Sequence, residues 1–318
     1  MNTIPLHLLP EEAYLRVLQS MGIHEQIAYS LCSRNTKKAI KSLKLNAVEI
    51  DISVVDSIKI NISAQNLIIL EYFPNKQLII HEDWKWDVET CHFPNFDFKE
   101  WLHHFCEVLH HPRIDYLDFC GEDLDDNYIE PIQKIIKGLQ IGFFGVWDEL
   151  TNEFAKKVLQ SFPNYEELYL AQIPFDNHKL NTLLVQNLKS LSIPEAQRLK
   201  IDQVLVSNSV TIKLSSSLLN EKDFNRFMKL WIRGSNPRLK YFVTTGVPQH
   251  GSVPLNENAI LKGIKHNQIP LDSEEVYKSC VYNGYEKTKL AGGYRIWSFN
   301  GTTAVIVITE CKFEFIVQ

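Results

Sequence analysis

The chain has 318 residues, 45% hydrophobic and 22% charged, with a formal net charge of −5 and an isoelectric point near 6.1. That balance excludes a disordered chain, and the mildly acidic charge offers no global attraction to nucleic acid or to an anionic membrane. No apolar run approaches the ~20 residues that span a bilayer, and the start lacks the basic-then-apolar pattern of a secretory signal, so a soluble cytoplasmic and/or nuclear protein is expected.

Leu8-Leu9-Pro10-Glu11-Glu12 places a proline where its fixed φ and missing N–H suit the first turn of a helix. The spacing predicts a helix from about Pro10 to Ser20, with Tyr14, Leu18 and Met21 on one face and Ala13 and Val17 on the adjoining row. Gly22 breaks it. A second helix follows from Ile23 with Ile27 and Leu31 in phase, and a third from Asn35 to Leu43 sets Ile40 and Leu43 against basic residues. Three such helices bury too little surface to stand alone, so a partner helix or sheet is expected. From Leu45 onward the texture turns to β-branched runs at Val48–Ile52, Ser57–Ile62, Leu67–Leu70 and Gln77–Ile80. The first two alternate with period two, and short gaps imply antiparallel neighbours, giving a small sheet that links the helices to the main body. A helix from about Asp97 to His110 ends at Pro112.

Beyond residue 113 strand-like runs begin at Ile114, Leu139, Glu167, Leu188, Val210 and Leu239 and alternate with helical patterns. Their spacing falls between 21 and 29 residues, inside the roughly 20–29-residue band of leucine-rich repeats, although the usual asparagine ladder is irregular or absent. An ordinary open α/β sheet is the rival, and no Gly-rich phosphate loop ends any strand. The clearest helix runs from Glu221 to Arg233, with Phe224, Phe227, Met228, Trp231 and Ile232 in phase, Asn220 as cap, and Gly234 and Pro237 as stop.

Candidates for chemistry are few. Cys91-His92, His103, His104, Cys106, His110 and His111 cluster, but their spacing matches no common zinc module, and no metal is expected. The six cysteines lack paired spacing and read as reduced thiols. Glu122, Asp123, Asp125 and Asp126 precede a helix, where capping explains them. The serines between Leu205 and Ser217 lack a nucleophile elbow, so no catalytic residue and no cofactor are expected. Trp84, Trp86, Phe93, Phe96, Phe98 and Trp101 crowd one region and fit either a recognition surface or the cap of a repeat array.

Two stretches resemble a known family. Residues from Pro5 to Leu43, with the run Ser30-Leu31-Cys32-Ser33-Arg34, resemble the F-box of nematode F-box proteins. Ala13-Tyr14 stands where a branched aliphatic pair is more usual. The string Trp231-Ile232-Arg233-Gly234-Ser235-Asn236-Pro237-Arg238-Leu239-Lys240-Tyr241 resembles the signature of the type 2 F-box-associated domain, and the likeness extends over about 170–317. Pattern and resemblance together give an expected α+β or α/β chain: a three-helix F-box at 1–45, a β-rich linking region and helix at 46–112, and an F-box-associated, leucine-rich-repeat-like strand and helix array with a C-terminal β-hairpin at 113–318. It implies that Leu8, Leu9, Pro10, Val17, Leu18, Ile27 and Leu31 bind a Skp-type adaptor, and through it a cullin. The expected function is substrate recognition for a ubiquitin ligase acting on an unknown protein target, with no catalysis and no nucleic acid or membrane partner. The alternative is a binding module that sequesters a target without ubiquitin transfer. Gly234, Pro237 and Trp231 read as fold-defining residues that need touch no ligand.

Overall fold

The computed structural model describes residues 6–47, 49–64, 67–72, 79–80, 96–246, 254–270, 274–281 and 284–318. They fall into two units, one of residues 1–145 and 149–164, the other of residues 146–148 and 165–318. Val48, Gln77-Leu78, Trp84, Trp86, Cys91-His92 and Phe93, singled out above, lie outside the described residues.

The first unit begins with helices α1 (Glu11–Ser20), α2 (Ile23–Leu31) and α3 (Arg34–Ser42). Each starts close to where the apolar spacing places it. The Ser33 hydroxyl caps α3 by accepting from the Thr36 amide. Strands β1 (Glu49–Val54), β2 (Ile58–Ser63), β3 (Leu67–Tyr72) and β4 (Ile79–Ile80) then form an antiparallel run. In the β1–β2 register Ile50 faces Ile62, Ile52 faces Ile60 and Val54 faces Ile58, and all six are fully buried. Period-two alternation produces this, because it sends every second side chain to one face.

Helix α4 (Phe98–Val108) is capped by Asp97, and strand β5 (Arg113–Phe119) follows. β5 pairs parallel with β1, with Ile52 opposite Leu117, and the order within this unit is β6-β5-β1-β2-β3-β4, where β6 spans Gln140–Val146. Helices α5 (Ile129–Ile135) and α6 (Asn152–Ser161) complete the unit, and Phe119, Phe144, Phe154 and Phe162 cluster with ring centroids 5.6–6.4 Å apart. Residues 46–112 fall in the same unit as residues 113–145 and 149–164. The β1–β5 ladder joins β1 to β5 within that unit.

The second unit contains β7 (Tyr165–Leu170), α7 (Asn177–Leu184), β8 (Ser190–Ile193), α8 (Ile201–Val206), β9 (Thr211–Ser217), α9 (Glu221–Ile232) and β10 (Tyr241–Gly246). Strands β7 to β10 pair parallel in sequence order, each joined by a helical crossover. Then come α10 (Glu257–Ile260), β11 (Asn267–Gln268), an antiparallel pair β12 (Glu274–Val281) and β13 (Gly284–Ala291), and β14 (Tyr294–Trp297), β15 (Thr303–Ile308) and β16 (Lys312–Val317). The expected C-terminal hairpin is instead a three-stranded antiparallel meander, because β16 continues from β15 and pairs with β10. The fold class is mixed α/β. The strand–helix alternation is present, but this unit closes with antiparallel strands rather than with a further repeat.

Helix α9 fills the space over this sheet. Phe224 stacks on Phe313 with centroids 4.3 Å apart, Phe227 sits 5.1 Å from both Phe242 and Phe315, and Trp231 lies 5.0 Å from Phe315. On the other face Tyr241, Ile269, Val305 and Ile316 form a second cluster. Buried Glu314 there accepts from the Tyr241 hydroxyl at 2.5 Å and pairs with Lys312.

Candidate functional site

The three N-terminal helices rest on α4. Leu18, Ile40 and Val108 are fully buried together, ringed by Tyr14, Met21, Tyr29, Ala39, Leu43 and Leu45. Lys37 and Lys41 both reach Glu107, at 2.8 and 3.2 Å, and the Lys37 hydrogen bond holds that carboxyl below the usual carboxylate range. His110 meets the Lys41 carbonyl through Nε2 at 2.8 Å. The partner helix that the small apolar faces call for is thus supplied, on this side, from within the chain.

This packing sorts the seven residues that the F-box resemblance marks. Leu18 and Ile27 are 0% exposed and brace the helices from inside. Leu8 is 68% exposed, Pro10 is exposed, and Leu9, Val17 and Leu31 are half-buried. Leu8, Leu9, Pro10, Val17 and Leu31 thus keep some exposure, whereas Leu18 and Ile27 keep none. Apolar spacing identifies the buried face of a helix but not what covers it, which is why all seven read alike in the sequence.

One buried polar contact ties α2 to α4. The Ser30 hydroxyl donates to the Ile27 carbonyl at 2.5 Å, leaving its oxygen to accept from Nε2 of His104 at 2.7 Å. Burial strips water from the imidazole, and with Lys37 nearby its pKa is pushed down to about 4. The folded pKa is below the unfolded value of 6.5, so the stabilisation is complete above pH 6.5 and is lost as pH falls towards 4. At pH 5 the unit is expected to lose about 2 kcal/mol relative to pH 7 from this residue. Urea unfolding of wild type and His104→Gln at the two pH values measures it, and an equal loss in both proteins would contradict the assignment.

The histidine and cysteine cluster is divided among protein partners. His103 meets the Ile135 carbonyl, His111 meets Asp115, and Cys106 is buried on α4. Among the described residues no group of His, Cys, Asp and Glu is placed to hold a metal. Phe98 and Trp101 are buried, and Trp101 stacks on Phe105, so these two belong to the core of α4 and not to a recognition surface. Asp125 caps a short helical turn through the Asn127 amide, and Asp126 pairs with Lys157 at 2.7 Å. No described helix is long and apolar enough to cross a membrane.

The C-terminal signature residues build a chain reversal. Gly234 has φ +102°, and a Cβ there would come within 2.7 Å of the Phe299 ring. Trp231, Leu239 and Tyr241 are buried. Asn236, with φ +50°, is also buried, and its amide donates to the Val204 and Ser207 carbonyls at 2.9 Å each. Its role was not legible beforehand, because a turn asparagine and a buried amide bridge look the same in a sequence.

Comparison with known proteins matches both regions. Residues 6–47 match the family model described as F-box domain, and residues 179–243 match the model described as F-box associated. The chain is also similar to F-box associated domain-containing protein sdz-33 of Caenorhabditis elegans, at 25% identity over 252 residues, covering 76% of this chain and 79% of that protein. No solved structure matches the chain significantly.

Proposed function

For a chain that is a nematode F-box protein with a type 2 F-box-associated domain, we propose the role of a non-catalytic substrate-recognition subunit of a Skp-cullin-F-box ubiquitin ligase, acting in the cytoplasm and/or nucleus. The N-terminal helices dock a Skp-type adaptor, and the C-terminal unit holds a protein target. Catalysis resides elsewhere in the assembly, and this chain contributes proximity, since tethering a target beside the ubiquitin carrier raises its effective concentration without new chemical groups.

The observation that carries this reading is the exposure of Leu8 and Pro10, with Leu9, Val17 and Leu31 half-buried, beside the fully buried Leu18 and Ile27. Leu18 and Ile40 are meanwhile covered by Val108 of α4. An exposed apolar surface beside a satisfied core serves a partner. Replacement of Leu9-Pro10 by Ala-Ala is expected to abolish capture of purified Skp-type adaptor while the melting curve stays near wild type, because both side chains lie outside the core. Binding unchanged by the double substitution would sink the adaptor role. No capture even by wild type would favour a sequestering protein, whose target would be insensitive to cullin inhibition.

A further inference from the structure

The second unit carries a cleft of about 300 Å³ lined by Lys229, Ile232, Arg233, Gly263, Ile264, Lys265 and Trp297. We propose that this cleft is where the chain grips its target, by a short peptide segment bearing clustered carboxylate or phosphate groups; the assignment rests on the substrate-recognition reading above.

Three cations converge on it in a chain whose formal net charge is −5. Lys229 on α9 and Arg233, which caps its end, stand four residues apart, and Lys265 approaches from the loop after α10. Among the described residues none of the three has an ion-pair partner, whereas Arg226 pairs with Asp202 and Lys189 with Glu166.

Complementing the negative end of α9 does not account for the group. The last carbonyls of that helix are already occupied: Trp231 accepts from the Gly234 amide at 2.9 Å, Leu230 from Ser235 at 3.1 Å, and Ile232 from Phe299 at 2.8 Å. Lys265 is on another element altogether. The loop that carries it is held to α9 by the Asn225 amide, which donates to the Ile260 and Lys262 carbonyls. Gly263, at φ +71°, leaves the space beside it to the Lys229 ammonium, which lies 3.6 Å from where a Cβ would stand.

The chemistry of the walls selects the ligand. Ile232, buried Ile264 and the half-buried Trp297 ring add an apolar floor beneath the charges, and Phe299, two residues beyond Trp297, is 74% exposed. Cations over an aromatic and aliphatic floor suit a peptide that presents anionic side chains beside an apolar one. A nucleic acid would call for a basic stripe following its backbone, and a membrane surface for a wider cationic face. A cleft of this volume admits one or two side chains.

The test uses the full-length chain and fluorescein-labelled twelve-residue peptides carrying two phosphoserines four residues apart next to a leucine. The same peptide with glutamates and with unmodified serines, phosphatidylserine vesicles and an oligothymidine strand are run alongside. Adaptor capture is measured on the same preparations. The phosphorylated and glutamate peptides are expected to bind in preference to the serine peptide. The triple variant Lys229→Gln, Arg233→Gln, Lys265→Gln is expected to weaken that binding at least about tenfold, since each lost charge-assisted contact contributes, with the melting curve and adaptor capture unchanged. A single Trp297→Leu substitution, which keeps an apolar floor, is expected to weaken it less. Inorganic phosphate competing fully at equal concentration would reduce the site to a free-anion site and overturn the peptide assignment. Equal binding by wild type and triple variant, or loss in the variant of vesicle or oligothymidine binding alone, would also overturn it. Loss of adaptor capture in wild type with peptide binding intact would remove the ligase reading and leave the cleft standing.

Discussion

Phe227→Ala is expected to destabilise the C-terminal unit by about 3–5 kcal/mol, the range for emptying a large aromatic site in a core that relaxes only partly. Phe227 is fully buried at the centre of α9 and makes edge-on contacts with Phe242 and Phe315. Each aromatic pair contributes beyond the area it buries. Its neighbours are held by other partners, Phe315 by Trp231 and Phe242 by Phe313, so collapse into the vacated space is resisted. Phe299→Ala is the control. That ring is 74% exposed, so its loss is expected to change stability by no more than about 0.5 kcal/mol. Denaturant unfolding followed by fluorescence separates the two, and a loss below about 1 kcal/mol for Phe227→Ala would mean that α9 does not pack on this sheet as described.

The reason α9 was readable in the sequence is that all its determinants are local: five apolar residues at helical spacing, an asparagine cap whose side chain accepts from the Lys222 and Asp223 amides, and a glycine with positive φ after its end. The β1 and β2 strands were readable for the same reason, since alternation alone assigns Ile50, Ile52, Ile58 and Ile60 to one face. What escaped depends on distant partners. Strand β16 reads Lys-Phe-Glu-Phe, and the charged Glu314 disguises a central strand until Tyr241, seventy-three residues earlier, is seen to donate to it. The β1–β5 ladder pairs segments about 65 residues apart. In the candidate site the division was the same. Periodicity marked the apolar positions of the N-terminal helices, but only the packed structure separates the fully buried Leu18 and Ile27 from the exposed and half-buried residues. The cleft around Trp297 collects residues from three elements, and no local pattern brings Lys265 to Lys229.

Asp51→Asn is expected to stabilise the N-terminal unit at alkaline pH. Asp51 lies on β1, and its Oδ1 is buried without a hydrogen-bond partner among the described residues. The neighbouring carboxylates are better supplied: Asp115 accepts from the Ile50 amide at 2.8 Å and from His111, and Asp118 accepts from the Ser53 hydroxyl at 3.0 Å. Burial, with the charges of Glu49, Asp115 and Asp118 adding to it, pushes the Asp51 carboxyl up to about 8. The folded pKa is therefore above the unfolded value of 3.8, so the protonated group favours folding fully below that value, and the advantage fades as pH rises through 8. Asparagine keeps the shape and cannot ionise. The variant is expected to gain about 2–3 kcal/mol over wild type at pH 8.5, a figure reduced from the full linkage because solvent reaches this half-buried strand, and to match wild type near pH 4. Thermal melts across that range test it. A constant difference at every pH would assign the effect to packing, whereas a gain that grows from acid to alkaline pH requires that folded Asp51 holds its proton among its acidic neighbours.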